Sequence, residues 1–124
     1  MSRYISIRGW LECDFENIEK IRSMIKEYEV KNELIMDKND IDRLKRYQTA
    51  WQFPKEKISW TAYVFYGADV KYGFEKYIRE QIELISSIDD DCEGFFICSD
   101  EEDANDEEWR IKNGKLSIIR NEFK

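Results

Sequence analysis

Three features of the sequence predict an α+β fold with a mostly antiparallel sheet and two main helices packed on one face. Residues 4–13 alternate between apolar and polar side chains. Residues 18–28 and 74–88 repeat apolar side chains every three or four positions. Near the end of the chain, Asn113-Gly114 separates two short strand-like segments. The leading topology is ferredoxin-like, a split β-α-β arrangement with an added C-terminal hairpin. With 124 residues, the chain is read as a single domain spanning 1–124.

In the first element, Ile5, Ile7, Gly9, Leu11 and Cys13 alternate with Tyr4, Ser6, Arg8, Trp10 and Glu12, the period of a half-buried strand. Asp14 stands where a helix N-cap belongs, and Glu16 suits the positive end of the helix dipole. Ile18, Ile21, Ile25 and Tyr28 then share one face of an amphipathic helix. Leu34-Ile35-Met36 reads either as a short strand or as an extension of that helix. Asp37 to Asp40 forms a turn with a second cap, followed by a minor helix bearing Ile41, Leu44 and Tyr47. Trp51, Phe53 and Pro54 mark a loop with exposed or half-buried aromatics.

Residues 58–66 are rich in aromatic and β-branched types and predict a central strand covered on both faces. Gly67 and Gly73 bracket a turn or edge segment. Phe74, Tyr77, Ile78, Ile82, Ile85 and Ile88 mark the second main helix. Gly94 to Cys98 is a short strand enclosed by acids. Trp109 to Lys112 and Lys115 to Ile118 flank the Asn-Gly turn, whose two central positions need positive φ.

Composition narrows the function classes. Hydrophobic residues at 42% and aromatics at 15% exclude a disordered tail. No apolar run reaches the ~20 residues of a membrane helix. Arg8, Glu12 and Asp14 interrupt the N-terminal apolar residues too early for a signal core, so a cytoplasmic location is expected. The three cysteines, Cys13, Cys92 and Cys98, are odd in number and are read as reduced thiols.

The chain has no histidine, which excludes Ser-His-Asp and Cys-His catalysis and weakens any zinc site. The five glycines form no phosphate-binding loop. These absences argue against an enzyme, and neither a cofactor nor a metal site is expected. Arg43, Lys45 and Arg46 beside Tyr47 read as a solvated helix face, and the net charge of −7 opposes direct nucleic-acid binding.

The negative charge is concentrated. Residues 89–108 hold eleven acids and no Lys or Arg, while the other 16 of the 27 acids face 20 bases. A solvated loop is one reading, and a patch that attracts a cationic partner is the other. Two alternatives use the same acids: a calcium- or carboxylate-site protein built on residues 89–100, and an acidic mimic of nucleic acid. Asp89, Asp91, Glu93, Gly94 and Asp100 match the first, third, fifth, sixth and twelfth positions of a calcium loop, although Asp100 replaces the usual Glu. An acidic mimic of nucleic acid would need acids spread over a surface, whereas here they cluster in sequence. In the binding reading, the partner-contact candidates are Asp100, Glu101, Glu102, Asp103 and Trp109, with Trp10 and Trp51 as aromatic anchors.

Three segments carry a family likeness: Tyr4 to Cys13, Trp60 to Asp69, and Glu108 to Gly114. In these the chain resembles the small immunity proteins of bacterial polymorphic-toxin systems, including contact-dependent growth inhibition. The resemblance implies binding to the C-terminal domain of a cognate toxin, often a nuclease acting on RNA. It implies inhibition by plugging the active site or covering an adjacent substrate surface, and it carries no catalytic residues.

Overall fold

The computed structural model describes residues 3–102 and 105–122. β1 (Tyr4–Asp14) leads through a single 3-10 turn at Phe15–Asn17 into α1 (Ile18–Glu33). α2 (Lys38–Gln48), the two-residue β2 (Trp51–Gln52) and β3 (Thr61–Lys71) follow. α3 (Glu75–Ser86) then precedes β4 (Glu93–Asp100), β5 (Asn105–Lys112) and β6 (Lys115–Glu122).

The strands form one six-stranded sheet in the order β2-β3-β1-β4-β5-β6, with every pairing antiparallel. The first four strands, with helices after β1 and after β3, have the order of a split β-α-β fold. The C-terminal hairpin extends that sheet beyond β4.

β1 is the axis of the sheet. It pairs with β3 from Tyr4↔Lys71 to Asp14↔Thr61, and with β4 from Ile5↔Asp100 to Glu12↔Glu93. Its inward residues Ile5, Ile7, Leu11 and Cys13 are buried, as the alternation predicts. Ala62, Val64, Tyr66 and Val70 of β3, Phe96 and Cys98 of β4, and Trp109 and Ile111 of β5 are buried with them. Ile21 and Ile25 of α1, Leu44 of α2, and Ile78, Ile82 and Ile85 of α3 complete the same core.

Local capping follows the sequence in part. The Asp37 side chain accepts a hydrogen bond from the Asp40 N–H at 2.9 Å, capping α2. Asp14 precedes the 3-10 turn and makes no side-chain cap bond. In the final hairpin, Asn113 and Gly114 have φ of 53° and 73°, the two positive values of a type I′ turn. The Gly114 N–H donates to the Cys92 carbonyl at 3.1 Å, so the turn packs against the chain entering β4.

Several expectations are corrected. Leu34-Ile35-Met36 is neither strand nor helix but a turn, with Leu34 84% and Ile35 80% exposed. β3 does not end near Gly67. It runs through that glycine to Lys71, and the turn is made by Gly73 at a φ of 100°. β3 is central in the sheet but is covered on one face only. Its burial alternates along its length, leaving Tyr63 and Phe65 outside. Aromatic side chains occupy both faces of this strand, which hides the alternation in the sequence.

The tryptophans are also redistributed. Trp51 lies on β2 opposite Tyr66, with ring centroids 4.8 Å apart, and is only 6% exposed. Trp109 lies on the inner face of β5 opposite Phe96 and is fully buried. Neither side chain offers surface to a partner, so both are withdrawn as interface anchors.

Candidate protein-binding face

A strand whose side chains alternate needs a covering layer on each face to bury both. The helices pack on the inner face alone, so the outward residues of β1, β3, β4 and β5 meet solvent. Soluble antiparallel sheets usually make such a face polar. This one is aromatic at its centre.

Register places the aromatics in one row. Trp10 on β1 lies directly between Phe65 on β3 and Phe95 on β4, and Arg110 on β5 continues the row. Trp10 is 36% exposed, Tyr63 44% and Phe65 51%. The Trp10 and Tyr63 rings meet edge-on at 6.1 Å, and Tyr63 stacks on Phe65 at 6.4 Å. The Arg110 guanidinium stands 5.9 Å from the Phe95 ring centre. A neighbouring row holds Gly67, Arg8, Ile97 and Glu108.

At the rim, an apolar cavity of about 210 Å³ opens between the loop after β2 and the start of β3. Phe53, Pro54, Ile58, Tyr63 and Phe65 are among the residues that wall it. Ile58 and Trp60, beside it in sequence, are 94% and 71% exposed. The Lys57 ammonium lies 3.5 Å from the Trp60 ring centre.

The acidic residues do not form one patch. Asp89 to Asp91 sit in the turn before β4, and Asp100 to Glu102 sit at its far end. The eight residues of β4 separate those ends by about 23 Å at ~3.3 Å per residue. That span also rules out a calcium loop running from Asp89 to Asp100, whose ligands must converge on one ion. Glu12, Asp14, Asp89, Asp91 and Glu93 surround a second opening of about 280 Å³ together with Cys13 and Cys92. Among the described residues, no three of these side chains converge as a metal-binding set.

Asp100 is engaged by Arg3, whose Nε donates to Oδ1 at 3.1 Å. The Glu102 N–H donates to the same carboxylate at 3.0 Å, and its side chain lies 3.9 Å from Arg3. The hydrogen bond that Arg3 donates to Asp100 holds the guanidinium above its ordinary pKa. Asp100 therefore fastens the N-terminal strand to β4, and Glu101 and Glu102 remain exposed beside it. Asp103 lies outside the described residues.

All three thiols are buried. Burial pushes Cys13 and Cys98 up to about 12 and Cys92 up to about 11. They stay protonated near neutral pH, where a thiol is a poor nucleophile.

Of the sequence-derived contact residues, the structure puts Trp10 on the aromatic face and Glu101 and Glu102 at one end of the sheet. Arg8 follows from the alternation of β1, whereas Tyr63, Phe65 and Phe95 are face residues that the sequence reading does not single out. The signal for them was the supply of helices: the apolar helix stripes suffice for one face of the sheet only. No protein-family model matches the chain, and no curated protein or solved structure matches it at a significant level.

Proposed function

We propose that the chain is an inhibitory binding protein of the immunity type, which docks a cognate toxin domain on the outer face of its sheet and blocks it in the cytoplasm. One observation carries the reading. Trp10, Tyr63 and Phe65 are held on rigid strands, uncovered, beside an apolar cavity of about 210 Å³. Exposed aromatics fixed by a scaffold are the usual anchors of tight interfaces, and a pocket at their edge accepts an apolar side chain of the partner. A complex of this kind buries on the order of 1,600 Å² in total. The toxin identity, with RNA cleavage as its activity, comes from the family resemblance alone.

A second reading has its own support. Aromatic residues on the central strands of a split β-α-β sheet are also how RNA-binding sheets stack bases. Glu12, Asp69 and Glu93 share the face with Arg8, Lys71 and Arg110, so it is the chain's net charge of −7 that opposes a phosphate chain. A protein occupant is therefore preferred.

The test is co-purification from the source cells with tagged wild type and a Trp10→Ala/Phe65→Ser variant. The expected result is one protein recovered near stoichiometrically with wild type and lost with the variant. Expression of that protein's bound domain should arrest growth, and co-expression of this chain should relieve the arrest. Equal recovery with both forms, or an arrest that is not relieved, sinks the reading.

A further inference from the structure

The strand registers lay the outer face out in rows that cross the sheet from β3 to β6. The aromatic row runs Phe65, Trp10, Phe95, Arg110 and Ser117. On one side of it lie Gly67, Arg8, Ile97, Glu108 and Ile119. On the other side lie Tyr63, Glu12, Glu93, Lys112 and Lys115. β4 is the middle strand of these five, and the charges on its two flanks are opposite in sign. Arg8 on β1 stands level with Glu108 on β5, and Glu12 on β1 stands level with Lys112 on β5. Trp10 stands level with Arg110 in the same way.

A surface that meets its own copy across a two-fold axis must be complementary to itself. An axis along β4 lays β1 of one copy over β5 of the other. Arg8 then meets Glu108 of the second copy, Glu12 meets Lys112, and Trp10 meets the Arg110 guanidinium. Symmetry makes each contact twice. Phe95 and Ile97, both half-buried, meet themselves at the axis. Gly67, where an added Cβ meets nothing within 4 Å, lies over Ile119, which is 38% exposed. Glu93 meets itself at the edge of the face, with Lys112 beside it in each copy. Other axes fit less well. One along β1 sets Arg8 on Arg8 and Glu12 on Glu12. One across the strands at the aromatic row pairs Arg8 with Glu12, but it sets Arg110 on Arg110 and Glu93 against Ile97.

We infer that the outer face pairs with the same face of a second copy of this chain, about a two-fold axis along β4. Aligned sheets pack about 10 Å apart at an angle near 30°, which lets long charged side chains meet beside the axis. Five strands about 4.8 Å apart and four outward rows about 6.7 Å apart cover roughly 640 Å² of each copy. Two copies together bury about 1,300 Å², at the lower end of specific interfaces. The dimer is therefore weak and gives way to a tighter occupant. This goes beyond the docking reading above. The free protein covers its aromatic face with its own copy, and a partner binds by displacing that copy.

Sedimentation velocity of the purified chain at low salt tests this without any partner. Wild type is expected to pass from monomer to dimer between about 1 and 100 μM. Glu12 and Lys112 are the residues to exchange, because neither makes an ion pair among the described residues, whereas Glu108 already holds Arg110 at 2.7 Å. Glu12→Lys and Lys112→Glu should each weaken the dimer about tenfold, since the like charges they create occur twice. The combined variant should return to within about threefold of wild type, a rescue that a folding defect cannot give. Trp10→Ala should also weaken the dimer. A monomer at every concentration, a combined variant no better than the single ones, or a dimer untouched by Trp10→Ala overturns the inference. The two readings fail separately. A dimer with no cellular partner upholds this inference and sinks the inhibitor, and a cellular partner bound by a strictly monomeric chain does the reverse.

Discussion

Gln48 and Gln81 hold each other in the core by two reciprocal amide hydrogen bonds, 2.7 and 2.8 Å long. Gln81 Nε2 also donates to the Tyr77 carbonyl at 3.1 Å, and Gln48 Nε2 lies 3.4 Å from the Ile25 carbonyl. The pair therefore links α2 to α3 and touches α1. Every amide hydrogen it uses is matched by an acceptor, which is what makes a buried polar pair tolerable.

Removing one partner leaves the other's amide buried and unpaired. Gln81→Leu is expected to lower stability by roughly 2–3 kcal/mol, and Gln48→Leu by a similar amount. The double substitution should cost less than the sum, since two apolar side chains need no hydrogen bonds. Urea denaturation of the four proteins forms a double-mutant cycle. Additive losses would mean that the pair does not couple the helices.

Gly9 gives a sharper packing test. Its missing Cβ leaves room for Phe96, whose Cα and ring would both lie within 3 Å of an added methyl. Gly9→Ala must push β1 and β4 apart or turn the Phe96 ring out of its rotamer. The expected loss is about 2–3 kcal/mol, against near neutrality for Gly67→Ala on the neighbouring strand. Equal effects at the two positions would contradict the register of β1 between β3 and β4.

Trp10 and Trp109 separate binding from stability. Trp109 is fully buried, and Trp109→Ala is expected to destabilise by about 3–5 kcal/mol. Trp10 is 36% exposed on the outer face. Trp10→Ala should cost about 1 kcal/mol or less in stability while weakening the partner complex by about 2 kcal/mol or more, some thirtyfold. Chemical denaturation and calorimetric titration read the two effects independently.

The same two residues mark what the sequence makes legible. The alternation from Ile5 to Cys13 and the Asn113-Gly114 turn are local signals, and both elements form as their periods require. Trp10 shares its face with Ser6, Arg8 and Glu12, so its exposure follows from that alternation. Trp109 obeys the same rule, because it shares a face with Ile111 while Arg110 and Lys112 point outward. The acids beside it in sequence obscure that pattern. Trp51 is different in kind. A strand of two residues has no period, so its burial depends on pairing with Tyr66 far along the chain. Tyr63 and Phe65 resemble core residues in composition, and only the count of covering helices reveals that they stay outside.

Alkali should unfold the protein earlier than its surface charges alone would suggest. Burial raises Cys13, Cys92 and Cys98 from an ordinary value of 9.0 to about 12, 11 and 12, and it raises Tyr28 and Tyr66 as well. The native state keeps protons that the unfolded chain releases. The stabilisation is fully present below the unfolded thiol pKa near 9 and is lost as pH rises toward the folded values. Stability measured by urea midpoint should fall steadily from pH 9 upward, while all three thiols react slowly with a disulfide reagent at pH 8 unless the protein is unfolded. Rapid labelling of native protein at that pH would contradict their burial.

The acids at the far end of β4 are expected to act on the rate of encounter. Glu101 and Glu102 are exposed, and Asp100 beside them is committed to Arg3. They lie at the end of the sheet and away from the aromatic row, so their field steers an approaching cationic partner without forming the buried contact. Reversing both to lysine should slow association by about tenfold at low salt and leave dissociation nearly unchanged. The difference should shrink as ionic strength rises past ~0.15 M, where the screening length is about 8 Å. Stopped-flow association across a salt series measures this directly. Rates that ignore both the reversal and the salt would remove these acids from the binding mechanism and leave the aromatic face to act alone.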